Sequence, residues 1–218
     1  MEYQKPRVKI CCIGSGEEAH TVIRFGASAI GLVSEMPSGP GVISEELIRE
    51  IALGVPAWID TFLLTSKQDP NAVIVQQQKT QVNTIQLVDV FPVSGYETLR
   101  HALSNVRIVQ VIHVVGDRSI HEAAAVAPYV DAILLDSGNP SLPMKELGGT
   151  GRTHDWSVSR CIRDRVHVPI YLAGGLKPEN VHEAIEQVHP YAVDVCSGVR
   201  TDGHLDLQKL AAFFSHII

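Results

Sequence analysis

The strongest constraint on this chain is an alternation that runs along its whole length. Eight short apolar runs, rich in β-branched residues, are separated by stretches whose apolar residues recur at helical spacing. The runs are Val8 to Ile13, Ala29 to Val33, Ala57 to Leu64, Thr84 to Val88, Val106 to Val115, Val130 to Leu135, Val168 to Ala173 and Ala192 to Cys196. Most are apolar almost throughout, the pattern of parallel strands buried on both faces. Between them Ala19, Val22, Ile23 and Gly26 fall at i, i+3, i+4 and i+7, as do Ile120, Ala123, Ala124 and Ala127. The same stripe returns at Val181, Ala184, Ile185 and Val188, and at Leu207, Leu210, Ala211 and Phe214. Ser44 before Glu45 and Glu46, and Pro178 in a first turn, are helix-start signals. The segment 66–81 has helix length but little apolar face around Gln76, Gln77 and Gln78. Eight strand–helix units in 218 residues predict a (β/α)8 TIM barrel, eight parallel strands ringed by helices, formed by 1–218 as one domain. An open doubly wound sheet is the alternative.

Composition narrows the function classes. Asp and Glu number 24 against 18 Lys and Arg, and the basic residues are scattered, which argues against nucleic acid as a partner. Asp, His or Gly interrupts each apolar run well short of a membrane span. Met1 leads into Glu2, Lys5 and Arg7, unlike a signal peptide, so a cytoplasmic protein is expected. Cys11, Cys12, Cys161 and Cys196 offer no C-x-x-C spacing. In a reducing compartment they are expected to be small buried hydrophobes, not disulfides.

Barrel enzymes carry their chemistry at the C-terminal ends of the strands. At the first, Lys9-Ile-Cys-Cys-Ile-Gly14, strand alternation sends Lys9, Cys11 and Ile13 to one face and Ile10 and Cys12 to the other. Only one cysteine is then expected to face the mouth, where helix N-termini and cations favour a thiolate able to act as a base. Ala132-Ile-Leu-Leu-Asp136 delivers one carboxylate at a strand end, either as an acid or as a cap on the turn into Ser137-Gly138. A thiol and a carboxyl flanking a small substrate suit proton transfer next to a carbonyl or imine. Glycines follow the last three strands: Gly148-Gly-Thr-Gly151, Gly174-Gly175 and Ser197-Gly198. Each alone reads as a turn, but together they predict a backbone cradle for a phosphorylated ligand.

These residues resemble the phosphoribosylanthranilate isomerase family of tryptophan biosynthesis. The matching pieces are Val8-Lys-Ile-Cys11, Phe25-Gly-Ala-Ser-Ala-Ile-Gly31, Ile85-Gln-Leu87, Leu134-Leu-Asp136, Gly148-Gly-Thr-Gly151 with Asp155-Trp156, Leu172-Ala-Gly-Gly-Leu-Lys-Pro-Glu-Asn-Val181 and Val193-Asp-Val-Cys-Ser-Gly-Val199. The resemblance implies a barrel that converts N-(5-phosphoribosyl)anthranilate to its 1-deoxyribulose isomer by an Amadori rearrangement, with no metal and no cofactor. It implies Cys11 as general base and Asp136 as general acid. The phosphate would rest near Gly174, Gly175, Ser197 and Gly198, with Gly149 and Gly151 in a loop closing over the substrate. The partner is then a small phosphorylated sugar, bound by a monomer or homodimer.

The chain departs from the family pattern at four places. Where the family carries a basic residue after strand two, understood to meet the anthranilate carboxylate, this chain reads Pro37-Ser-Gly-Pro-Gly-Val-Ile-Ser44, with no cation. Gln86-Leu-Val-Asp89 stands for Q-L-H-G, Cys12 for the glycine after the catalytic cysteine, and Ser197-Gly-Val-Arg200 for S-G-V-E. Arg200, Arg152 and His113 are the candidate replacements for the missing cation, each with an alternative reading as a surface or supporting residue. His20 and His154 read as solvated helix starts. Two other functions remain open: a paralogue isomerising another phosphosugar, and a catalytically silent barrel that binds a phosphorylated metabolite.

Overall fold

The computed structural model of the protein describes residues 5–138, 147 and 151–217. Eight strands close into a parallel barrel in chain order: β1 Arg7–Ile10, β2 Ala29–Val33, β3 Asp60–Thr65, β4 Thr84–Leu87, β5 Arg107–His113, β6 Ala132–Asp136, β7 Ile170–Leu172 and β8 Ala192–Val195. The ring shuts where β1 meets β8, with Arg7 opposite Ala192 and Ile10 opposite Val195. Closure of all eight strands excludes the open-sheet alternative.

Strand alternation divides the buried residues into two layers. Ala29, Val33, Phe62, Leu64, Val109, Val111, Ala132, Leu134 and Tyr171 fill the barrel interior. Ile30, Leu32, Leu63, Ile108, Ile133, Ile170 and Leu172 point outward into a larger core under the helices. The helices are α1 Gly16–Arg24, α2 Glu45–Gly54, α3 Pro70–Thr80, α4 Val93–Ala102, α5 Arg118–Val126, α6 Trp156–Arg165, α7 Val181–Val188 and α8 Leu207–Ser215. Hydroxyl and carboxylate side chains start five of them: Ser15, Ser44, Asp69, Asp155 and Asp206 each accept a backbone N–H of the first turn.

The polar segment 66–81 contains α3, capped by Asp69 with Pro70 in its first turn. Its buried face is polar and partly satisfied, Gln76 Oε1 having no partner. Gln76 donates to Glu45 Oε1 at 3.0 Å and Gln77 to the Val82 carbonyl at 2.9 Å. These bonds offset part of the cost of desolvating a buried glutamine, and packing overrides the weak pattern. On α8 the buried stripe is Leu210 and Phe213, continuing to Ile217, while Leu207 is exposed. The loop after β8 forms a 3-10 turn, Ser197–Val199, and then a short hairpin of β9 Arg200–Thr201 and β10 His204–Leu205. Among the described residues no helix is long and apolar enough to cross a membrane.

Candidate active site

β1 stops at Ile10, and Cys11 is the first residue beyond it, held by its N–H donating to the Val195 carbonyl at 2.8 Å. Its sulfur lies against Gly31, where an added Cβ would come within 2.7 Å of the sulfur and 3.1 Å of Lys9 Nζ. Only glycine leaves room for that approach. Lys9 is fully buried beneath Cys11 and pairs with Asp194 Oδ2 at 2.8 Å. Against the effect of burial, the Asp194 carboxylate holds the Lys9 ammonium above its ordinary value. The Cys11 thiol is pushed up to about 11, first by burial; the Lys9 cation opposes that rise, while Asp194 and Asp136 add to it.

Asp136 ends β6, opposite His113 of β5, and accepts the Ser137 N–H at 2.7 Å. One cleft at the mouth is lined by both Cys11 and Asp136, along with Asp194, Gln86, Gly151, Gly174, Gly175 and Ser197. The two sequence-predicted catalytic groups and most of the predicted cradle therefore share a cavity. Gly174 and Gly175 have φ of 81° and 63°, and Gly151 has φ of 68°, backbone that side-chain-bearing residues adopt at a cost. A Cβ at Gly175 would sit 2.5 Å from the Arg152 carbonyl carbon, and one at Gly198 would sit 2.0 Å from the Leu176 oxygen. A second cavity adjoining the first is lined by Gly151, Gly175, Ser197 and Gly198, with Lys177 and Lys209. Gly149 lies outside the described residues.

Several expectations are corrected. Cys12 also lines the cleft, because β1 has already ended and Cys12 turns into the left-handed region at φ 61°. It is disulfide-bonded to Cys196, so the cysteines are not all free; Cys11 and Cys161 are. Arg200 does not reach the cleft. Its guanidinium donates to both carboxylate oxygens of Glu18, at 3.0 and 2.9 Å, and to the Cys12 carbonyl at 2.6 Å. His113 donates to the Val88 carbonyl at 3.0 Å and lines a different cavity, between the β4 and β5 loops. The backbone of Arg152 packs on Gly175, and the residue is exposed.

Four site residues carry no assigned role from sequence. The Lys9–Asp194 pair was detectable only as two charges inside apolar strand runs, an unusual place for them. Gln86 is buried on the cleft wall with no partner for its Oε1. His154 is half-buried, not solvated: its Nε2 lies 2.7 Å from Ser159 Oγ, and burial lowers its pKa to about 4 despite the nearby Asp136 and Asp155 carboxylates. Its Nδ1 is buried without a partner beside Gly174.

Comparison with known proteins agrees with this geometry. The family model described as "N-(5'phosphoribosyl)anthranilate (PRA) isomerase" matches residues 8–216. An N-(5'-phosphoribosyl)anthranilate isomerase of Methanocella arvoryzae is 35% identical, covering 97% of this chain and 97% of that protein. One of Methanosarcina acetivorans is 32% identical over 98% of this chain and 93% of its own length. Among solved structures, phosphoribosyl anthranilate isomerase from Thermotoga maritima superposes with a TM-score of 0.83 at 31% identity, covering 97% of this chain and 98% of that one. A phosphoribosyl anthranilate isomerase in complex with reduced 1-(o-carboxyphenylamino)-1-deoxyribulose 5-phosphate superposes at 0.80 with 30% identity, over 97% and 98%.

Proposed function

The chain belongs to the N-(5'-phosphoribosyl)anthranilate isomerase family, and from that premise we propose that its cleft isomerises N-(5-phosphoribosyl)anthranilate with Cys11 as general base and Asp136 as general acid. The observation that carries this reading is the shared cleft, in which the thiol, the carboxyl and the glycine turns line one cavity.

The order of steps follows from charge. Asp136 gives its proton to the furanose ring oxygen, the C1′–O bond breaks, and the aniline nitrogen lone pair forms a cationic Schiff base. Burial pushes the Cys11 thiol up to about 11, so the neutral thiol is favoured in the free protein at pH 7. The iminium changes that balance. A positive charge next to the sulfur favours the thiolate, adding to the pull of the Lys9 ammonium beneath it. The same charge acidifies the C2′ proton, which Cys11 removes to give an enolamine; proton return at C1′ yields the ketone. Acid–base catalysis by two placed groups contributes about 10²- to 10⁴-fold in rate for each group.

The ends of the substrate call for different walls. Backbone amides around Gly174, Gly175, Ser197 and Gly198, in left-handed and 3-10 turns, suit a phosphate dianion. Val33, Met36, Leu64 and Leu134 give the cleft an apolar surface that suits an aromatic ring. Among the described lining residues none is a lysine or arginine, and this keeps a second reading in play: an isomerase for a phosphosugar without an aromatic carboxylate. Supplying N-(5-phosphoribosyl)anthranilate and coupling the product to indole-glycerol-phosphate synthase decides between them. Steady turnover is expected; no turnover, with tight binding of another sugar phosphate, favours the second reading.

A further inference from the structure

The Cys12–Cys196 cystine stands where three loops meet, two residues past the end of β1 and one past the end of β8. Its Cα atoms are 5.9 Å apart across 184 residues of sequence. On one side Cys196 leads directly into the Ser197–Val199 turn of the phosphate cradle. On the other, Cys12 contacts the loop after β2: a Cβ at Gly41 would come 2.6 Å from the Cys12 Cβ. The Cys12 carbonyl also accepts from Arg200, beyond the same turn. Cys12 holds φ 61°, a left-handed conformation that disfavours a side-chain-bearing residue relative to glycine. A strained residue at a functional site persists when its surroundings over-determine it, and here the cross-link does so.

We propose that this cystine is a positioning element for substrate capture, opened by thiol–disulfide exchange with a small dithiol and re-formed by exchange with a small disulfide, and that the dithiol form binds the sugar phosphate more weakly. The cross-link ties the segment carrying Cys11 to the turn carrying Ser197 and Gly198 and braces the loop at Gly41. The cleft is thereby preorganised before the ligand arrives. A small dithiol opens it. Its thiolate attacks the Cys196 sulfur and expels the Cys12 thiolate, which takes up a proton. The second thiol of the reagent then attacks the mixed disulfide, closing the reagent into a disulfide and releasing Cys196. Two electrons and two protons pass from reagent to protein. The catalytic thiol, Cys11, is not a member of the pair, so the effect falls on binding more than on chemistry.

This inference rests on the phosphate cradle of the proposed function but not on the identity of the aromatic end, so ribose 5-phosphate serves as the probe. Mass spectrometry after alkylation of the denatured chain counts the thiols, and calorimetry gives the Kd of the probe for the full folded chain in oxidised and dithiothreitol-reduced forms. The oxidised protein is expected to show two alkylatable cysteines and the reduced protein four. The Kd rises about five- to tenfold on reduction, the cost of ordering one or two loop segments at binding. A variant combining Cys12→Gly, which relieves the left-handed position, with Cys196→Ser holds the weaker Kd under both conditions. In turnover, reduction raises KM with kcat changed less. Four alkylatable cysteines under oxidising conditions, or equal Kd in the two states, overturns the proposal. Absence of isomerase turnover with the Kd shift intact counts against the proposed reaction alone.

Discussion

Lys9 Nζ and Asp194 Oδ2 lie 2.8 Å apart, buried within the barrel under the Cys11 thiol. The pair is a buried cation kept charged by its own carboxylate and aimed at the proposed base. Removing either partner leaves a buried charge unmatched, which costs about 3–5 kcal/mol, whereas replacing both with apolar residues costs far less. Lys9→Met is therefore expected to lower stability in urea titration by that amount, and Lys9→Met with Asp194→Leu to recover most of it.

The same pair tunes Cys11. Because burial dominates, alkylation of Cys11 by iodoacetamide, followed by mass spectrometry, is expected to accelerate with pH toward a midpoint near 11. Lys9 lowers that midpoint, so in any folded variant lacking the lysine charge it moves higher. A Cys11 midpoint near the free-thiol value of about 8.5 would contradict the burial account.

Gly198 is placed so that a single methyl group displaces the turn of the proposed cradle, since its Cβ would meet the Leu176 oxygen at 2.0 Å. Gly198→Ala is expected to raise KM for phosphorylated substrate at least tenfold, a loss of about 1.4 kcal/mol in binding, through displacement of the turn. Gly54, at the end of α2 with nothing within 4 Å of its virtual Cβ, is the control. Gly54→Ala is expected to leave KM unchanged and stability equal or slightly higher.

His154 gives the fold a pH dependence. Its native pKa near 4 lies below the unfolded value of 6.5, so between those values the unfolded chain binds more protons. Its contribution to stability is complete above pH 6.5 and is lost as pH falls toward 4, at up to roughly 1 kcal/mol per pH unit. In urea melts from pH 4 to 7, His154→Gln should flatten this part of the profile; an unchanged slope would assign it to other groups.

The strand pattern was legible because parallel strands buried on both faces leave a continuous apolar signature: β2 runs from Ala29 to Val33, as the sequence reading had it. The ends of most other strands shifted by one to three residues because apolar residues continue into the loops beyond the last ladder bond, whereas β3 and β6 run one residue further, to Thr65 and Asp136. The placement of Cys11 and Asp136 at one cleft was legible from their positions at strand ends. That of Cys12 was not, because period-two alternation stops applying once the backbone leaves the strand at Ile10. Arg200 looked available from its position, but Glu18, 182 residues away in sequence, already holds it. His154 looked solvated because its burial comes from packing by Gly174 and Ser159, which no local pattern reports.

The most direct test of the account is kcat for Asp136→Asn and Cys11→Ala on N-(5-phosphoribosyl)anthranilate, measured beside KM. Each substitution is expected to lower kcat by about 10²- to 10⁴-fold, with KM within a few-fold of the parent, because each removes a proton-transfer group and leaves the phosphate cradle intact. A kcat within about threefold of the parent in either variant would contradict the role given to that residue.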